Sequence, residues 1–199
     1  MIKKGKLIIL SGPSGTGKST VVFKAMEGRA DLCFSTSVTT RPPRSGEVDG
    51  REYFFIDQAR FDKMVENNEL LEHACYVSNS YGTPRPFVEA QLQKGMNVIL
   101  DIEVQGARQV KEKMPEAVTI FIMPPSMAEL RSRLEGRGTD TPEAIDARIA
   151  RAREEILEAD FYEYLIVNRD VETAANEFSA IISAEQCRFD PLLAKKIAE

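Results

Sequence analysis

Lys6-Leu-Ile-Ile-Leu10, followed by Ser11-Gly-Pro-Ser-Gly-Thr-Gly-Lys-Ser-Thr20, is the stretch on which the reading of the whole chain turns. The apolar run at 7–10, Leu and Ile only, predicts a short buried strand. Gly12, Gly15 and Gly17 then let the backbone turn tightly, and the run from Gly12 to Ser19 fits Gly-x-x-x-x-Gly-Lys-[Ser/Thr]. In a loop of this kind, here Gly12, Pro13, Ser14, Gly15, Thr16 and Gly17, backbone N–H groups converge on phosphate oxygens. Lys18 adds a point charge, and the Ser19 hydroxyl is suited to Mg²⁺. Thr20 leads into Val-Val-Phe-Lys-Ala-Met26, a helix with Val22 and Met26 on one face. A glycine-rich turn that binds nothing is the bland alternative. The order strand, loop, helix argues against it.

A chain of 199 residues can bury a sizeable core as one compact unit. Its net charge of -5 argues against a general nucleic-acid binder, because affinity for a phosphate backbone needs a basic surface. Cys33, Cys75 and Cys187 are too widely spaced for a Cys-x-x-Cys motif, so neither a disulfide framework nor a zinc site is indicated, and a reducing cytoplasm is the expected compartment. Lys3, Lys4 and Lys6 precede an apolar run too short for a signal-peptide core, and no run approaches a membrane span. The sequence leaves homo-oligomerisation open.

Beyond the first helix, residues 32–38 read as one strand and 41–50 as a loop. Tyr53-Phe-Phe-Ile56 is a short strand, and Asp57 is a candidate N-cap for a helix carrying Phe61, Met64 and Val65. Residues 70–77 predict a strand, 79–82 a turn, and Pro86 opens a helix that stops at Gly95. Strands at 96–102, 118–123 and 164–167 alternate with helices at about 105–114, 126–135, from Pro142, and from Val171. In the helix from Pro142, residues Ile145, Ile149, Ala152 and Ile156 share a face, with Arg148 and Arg151 off it. The fold class is therefore α/β, a parallel sheet wrapped by helices, with the phosphate loop in its core.

Asp101 ends the apolar strand at 96–102, where doubly wound sheets place their ligands, and a carboxylate there can hold Mg²⁺ through water. Arg41 and Arg44 flank Pro42-Pro43, which holds the segment extended, and two forked donors suit a phosphate as well as they suit solvent. Arg133 and Arg137 are four apart at a helix end and, with Arg148, could close over a triphosphate; spacing alone slightly favours pairing with Glu129, Glu135 and Glu154. His73, the sole histidine, reads as structural.

Taken together, several stretches resemble the guanylate kinase family along essentially the whole chain, in order and without large insertions. They are Ser11 to Thr20, Thr-Thr-Arg-Pro-Pro-Arg-Ser-Gly-Glu at 39–47, Gly-x-x-Tyr at 50–53, Tyr-Gly-Thr at 81–83, Leu-Asp-Ile at 100–102, Arg-Leu-Glu-Gly-Arg-Gly-Thr at 133–139 and Val-Asn-Arg-Asp at 167–170. The resemblance implies a small mixed GMP-binding insertion at 36–83 and a helical lid at 126–149. The P-loop core would comprise 1–35, 84–125 and 150–199. It implies Arg41, Arg44, Tyr53 and Tyr81 around the GMP phosphate, Ser37 and Glu72 at the guanine, and Thr83, Asp101 and Glu103 also lining the GMP site. Lys18, Arg133, Arg137 and Arg148 would act on the transferring group, and Asn168 would lie near the adenine. Glu103 stands where an aspartate is common in the family, and Arg169 makes the segment near the adenine less acidic than the family pattern. The implied reaction is ATP + GMP ⇌ ADP + GDP with Mg²⁺, extending to dGMP, with neither nucleic acid nor membrane as partner. Some guanylate-kinase-like domains serve as protein-interaction scaffolds, but these tend to lose the phosphate-loop and nucleotide residues that this chain retains.

Overall fold

The computed structural model describes residues 3–76, 78–136, 138 and 140–198, excepting the side chains of 76, 192, 193 and 196. The elements in the first half of the chain are β1 (Leu7–Ser11), α1 (Lys18–Met26), β2 (Leu32–Phe34), β3 (Ser37–Thr39), β4 (Tyr53–Phe55), α2 (Gln58–Glu66), β5 (Leu70–Tyr76) and β6 (Asn79–Pro84). They are followed by α3 (Arg85–Gln93), β7 (Asn97–Asp101), α4 (Val104–Lys113), β8 (Val118–Met123), α5 (Met127–Glu135) and α6 (Pro142–Leu157). A 3-10 turn (Ala159–Phe161), β9 (Tyr164–Val167), α7 (Val171–Gln186) and α8 (Pro191–Ala198) complete the chain.

The apolar run at the start of the chain is the middle strand of a parallel sheet in the order β2-β7-β1-β8-β9. All of β1 is buried, and its side chains alternate between two cores. Ile8 and Leu10 pack with Val21, Val22, Phe178 and Ile182 beneath α1 and α7, while Leu7 and Ile9 pack with Val88, Leu92, Ala107 and Val110 beneath α3 and α4. From β1 the chain builds β2 and β7 on one side, then crosses to β8 on the other. The crevice at the carboxyl ends of β1 and β7, where Leu10 lies beside Asp101, is therefore the switch point of the sheet.

A second sheet, β4-β3-β6-β5, is mixed: β3 pairs parallel with β4 and antiparallel with β6. It has its own core of Val38, Phe61 and Leu70, with Phe54, Ile56, Met64 and Val65 packed against it. Asp57 caps α2 as its position predicts, its carboxylate accepting from the Arg60 amide at 2.7 Å. A third cluster joins α5 to α6 through Leu130, Leu134, Ile145, Ile149 and Ala152. The Thr141 hydroxyl caps α6 by accepting from the Ala144 amide.

Two sequence expectations need correction. Residues 32–38 form two strands in different sheets, β2 in the first and β3 in the second. A run of β-forming residues says that the backbone is extended but not which strand it pairs with. Residues 79–82 are strand, not turn: Gly82 lies in β6 because β5 approaches it closely, and a Cβ there would stand 3.0 Å from the Glu72 carbonyl oxygen. The reversal comes earlier, with Ser78 at φ 64° and residue 76 paired with 79.

Candidate active site

Three glycines shape the loop after β1. Gly12 has φ 148°, and a Cβ there would lie 2.0 Å from the Ile122 carbonyl oxygen, so the loop closes against β8 as only glycine permits. Gly17, at φ 87°, is the N-cap of α1 and offers no side chain to its first amides, which leaves them for an anion. Within the loop the Thr16 hydroxyl donates to the Pro13 carbonyl at 2.9 Å. Lys18 Nζ donates to the Gly12 carbonyl at 2.6 Å and stands 3.8 Å from Asp101 Oδ1. Ser11 Oγ donates to the Ile102 carbonyl at 2.6 Å, tying β1 to the exit of β7.

The result is a cavity of about 370 Å³ lined by Gly12, residues 14–20, Asp101, Ile102, Glu103, Val104 and Glu155. Ser19 and Asp101 thus face one space, with Lys18 between phosphate loop and carboxylate. Burial pushes the Asp101 carboxyl up, and the Lys18 ammonium pulls it back.

A second cavity, about 440 Å³, shares the Asp101-Ile102-Glu103 wall and is otherwise lined by Ser37, Tyr53, Glu72, Ala74, Cys75, Tyr81, Gly82, Gln105 and Gly106. Glu72 keeps 7% of its surface and accepts a 2.6 Å hydrogen bond from the Thr83 hydroxyl. Burial raises its pKa, opposed by Thr83 and Lys113. A Cβ on Gly106 would come within 3.1 Å of Glu72 Oε2, so the absence of a side chain on α4 leaves room for this carboxylate.

Thr83 therefore holds Glu72 and does not itself line the cavity. Arg41 abuts the cavity wall: its guanidinium lies 5.5 Å from the Tyr53 ring, which packs edge-on to Tyr81 at 6.0 Å. Arg41 Nη2 donates to Glu47 Oε1 at 2.8 Å, and Glu47 Oε2 accepts from the Arg44 amide at 2.7 Å, so one carboxylate organises both arginines' loop.

The α5–α6 segment leans on the phosphate loop. Arg133 pairs with Glu129 at 2.9 Å, as spacing alone favours, yet its other nitrogens reach the Thr16 carbonyl at 3.4 Å and the Asn168 carbonyl at 3.0 Å. Arg148 donates to Ser14 Oγ at 2.7 Å and lies 3.4 Å from Asp140. Arg137 lies outside the described residues. Asn168 is buried, donates to the Thr16 carbonyl at 2.7 Å, and leaves its Oδ1 without a partner. It lines a third space, about 350 Å³, with Gly15, Gly17, Thr20, Arg133, Arg169, Asp170 and Val171.

His73 is exposed, packs edge-on to Phe61, and exchanges backbone bonds with the Gln109 side chain, in keeping with its structural reading. Three residues went unassigned from sequence. Gly106 gives no signal without the strand facing it. Glu155 and Arg151, three and four residues apart from their partners on α6, look like an ordinary surface pair.

A family model described as guanylate kinase matches residues 4–185. The chain is 49% identical over 193 residues to the guanylate kinase of Halalkalibacterium halodurans, covering 97% of this chain and 95% of that one. It is likewise 49% identical to the guanylate kinase of Syntrophomonas wolfei, with 96% and 98% covered. The crystal structure of guanylate kinase from Anaplasma phagocytophilum superposes with a TM-score of 0.73 at 40% identity, covering 94% of this chain and 88% of that one.

Proposed function

This chain belongs to the guanylate kinase family, and from that we infer a division of labour among its residues for passing the terminal phosphoryl group of ATP to GMP. The reaction gives ADP and GDP. The observation that carries the assignment is the pair of cavities separated only by the Asp101-Ile102-Glu103 wall, one backed by the phosphate loop and the other ending on buried Glu72.

The Glu72 end is the guanine site. Guanine presents N1–H and an exocyclic amine, two donors that a carboxylate accepts together, whereas adenine has an acceptor at N1. An unmatched buried acceptor is costly enough to discriminate strongly. Ser37 lies at the same end. Arg41, Arg44, Tyr53 and Tyr81 receive the GMP phosphate, with Glu47 holding the two arginines' loop until it arrives. We expect dGMP to be accepted as well.

On the donor side, residues 12–20 cradle the ATP phosphates, Asn168 faces the adenine, and Arg133, Arg137 and Arg148 close over the transferring group. Magnesium suits this donor set: the Ser19 hydroxyl and the single Asp101 carboxylate are both oxygen ligands, and a cation that dehydrates reluctantly is held by such a carboxylate through water. When bound, the cation supplies neutralisation of phosphate charge. The chain's own contribution is position and charge. The acceptor is a phosphate oxygen already ionised near neutral pH, so no side chain need remove a proton, and Lys18 with the arginines neutralises charge as the phosphoryl group crosses. Closure of 36–83 and 126–149 over the core of 1–35, 84–125 and 150–199 keeps water from intercepting it. The free thiols of Cys33, Cys75 and Cys187 suit a cytoplasmic location, and no helix among the described residues is long and apolar enough to cross a membrane.

A coupled ADP-release assay with MgATP and GMP, dGMP, AMP or UMP tests the whole reading. We expect GMP and dGMP to turn over, with GMP favoured over AMP by about 10⁴-fold in kcat/KM. ADP release no faster with GMP than without an acceptor would sink it.

A further inference from the structure

The inner stripe of α6 is apolar for three turns, Ile145, Ile149 and Ala152, and then presents Glu155 where the helix passes the phosphate cavity. The Glu155 side chain keeps only 14% of its exposure, against 63% for its neighbour Glu154. Burial, with Glu103, raises its pKa against the pull of Arg151 and Lys18. A largely buried carboxylate facing a space for polyanions opposes both folding and ligand binding, unless a cation shares it. Arg151, one turn back, is the cation bonded to it, with Lys18 also pulling its pKa down: Arg151 Nε donates to Glu155 Oε1 at 3.2 Å and its Nη1 to Glu154 Oε2 at 3.4 Å.

A further carboxylate acts on the same guanidinium from another element. Although burial works to lower the Arg151 pKa, Glu155, Glu154 and Glu103 together raise it, and Glu103 lines both the phosphate cavity and the acceptor cavity. Arg151 is thus held on the carboxylate that α6 presents to the phosphate cavity.

We infer that Arg151 supplies an additional positive charge to the phosphoryl-transfer junction and that Glu155 is the positioning residue that holds it there. The inference rests on the donor and acceptor reading of the two cavities. Glu155 restricts the arginine to one turn of its helix, so little freedom remains to be lost when phosphate arrives. It also balances the arginine's charge while the site is empty.

The test is a double-mutant cycle of Glu155→Gln, which is isosteric, and Arg151→Gln, a shorter neutral side chain at a partly exposed position, read as kcat, both KM values and the melting midpoint. Each single change should lower kcat by about tenfold, as loss of an orienting partner does. Both KM values should stay within about twofold, and the double variant should be no slower than the worse single one, because the pair acts as a unit. Arg151→Lys should recover part of the loss. Single variants with wild-type kcat, losses that multiply in the double variant, or a Glu155→Gln loss that follows a lowered melting midpoint and is absent from Arg151→Gln would each overturn the inference. Failure of the unaltered protein to turn over GMP would instead overturn the reading on which it rests.

Discussion

A carboxylate buried with a threonine hydroxyl as its hydrogen-bond partner, as Glu72 is, carries a cost that depends on pH. Its folded pKa is raised above the unfolded value, so the stability it contributes is complete below the unfolded pKa and is lost as pH rises through the folded one. Gln keeps the acceptor for Thr83 but removes that charge. We therefore expect Glu72→Gln to melt about 2–4 °C higher than the unaltered protein at pH 7, with the gap closing toward pH 4. The same variant should lose most discrimination between GMP and AMP, and an unchanged ratio of kcat/KM would remove Glu72 from the base site. Lys18→Ala should lower kcat by about 100-fold or more with little change in KM, since its charge is best used on the group in flight; steady-state kinetics at saturating MgATP decides this. At this scale the sequence was legible wherever spacing encodes chemistry, as in residues 12–20. It was silent wherever the chemistry depends on a facing element: Glu72 alone is an acid on a strand, and nothing local marks Gly106 or Glu155 as its neighbour or its counterpart in the next cavity.

Among the elements, the loop after β1 owes its shape to a backbone contact that no side chain could share. Gly12→Ala would drive a Cβ into the Ile122 carbonyl, and both partners are backbone, so neither can swing aside. We expect a loss of more than about 3 kcal/mol, measured by chemical denaturation. Gly28 offers the control: at φ 79° it has open space around it, and Ala there should cost only about 1 kcal/mol for the left-handed conformation. Equal costs would mean that strain, not the close approach, explains Gly12. Helices were legible from apolar spacing and caps, the Asp57 cap and the α6 stripe among them. The division of residues 32–38 between two sheets was not, since Ser35 to Ser37 are as compatible with continuing one strand as with leaving it.

At the scale of the molecule, the second sheet and the α5–α6 pair each have a hydrophobic cluster separate from those of the parallel sheet. Leu71 of β5 nevertheless reaches into the core beneath α3 and α4, so the second sheet is anchored on that side, and short links join it to its surroundings: residues 35 and 36 after β2, and β6 running directly into α3. We expect small-angle scattering to show a smaller radius of gyration with a non-hydrolysable ATP analogue and GMP together than with neither. An unchanged profile would mean that the site excludes water without closing. The parallel core was legible in advance from the alternation of strands and helices, whereas the separateness of the smaller clusters depends on contacts that no local pattern records. The wall of Asp101, Ile102 and Glu103 also has a meaning for binding measured in either order. On the donor and acceptor reading proposed above, one acidic partition faces both spaces, so we expect a phosphate in one to alter the electrical environment of the other and the two nucleotides to act as each other's effectors. By reciprocity, the factor by which ATP changes the affinity for GMP equals the factor by which GMP changes the affinity for ATP.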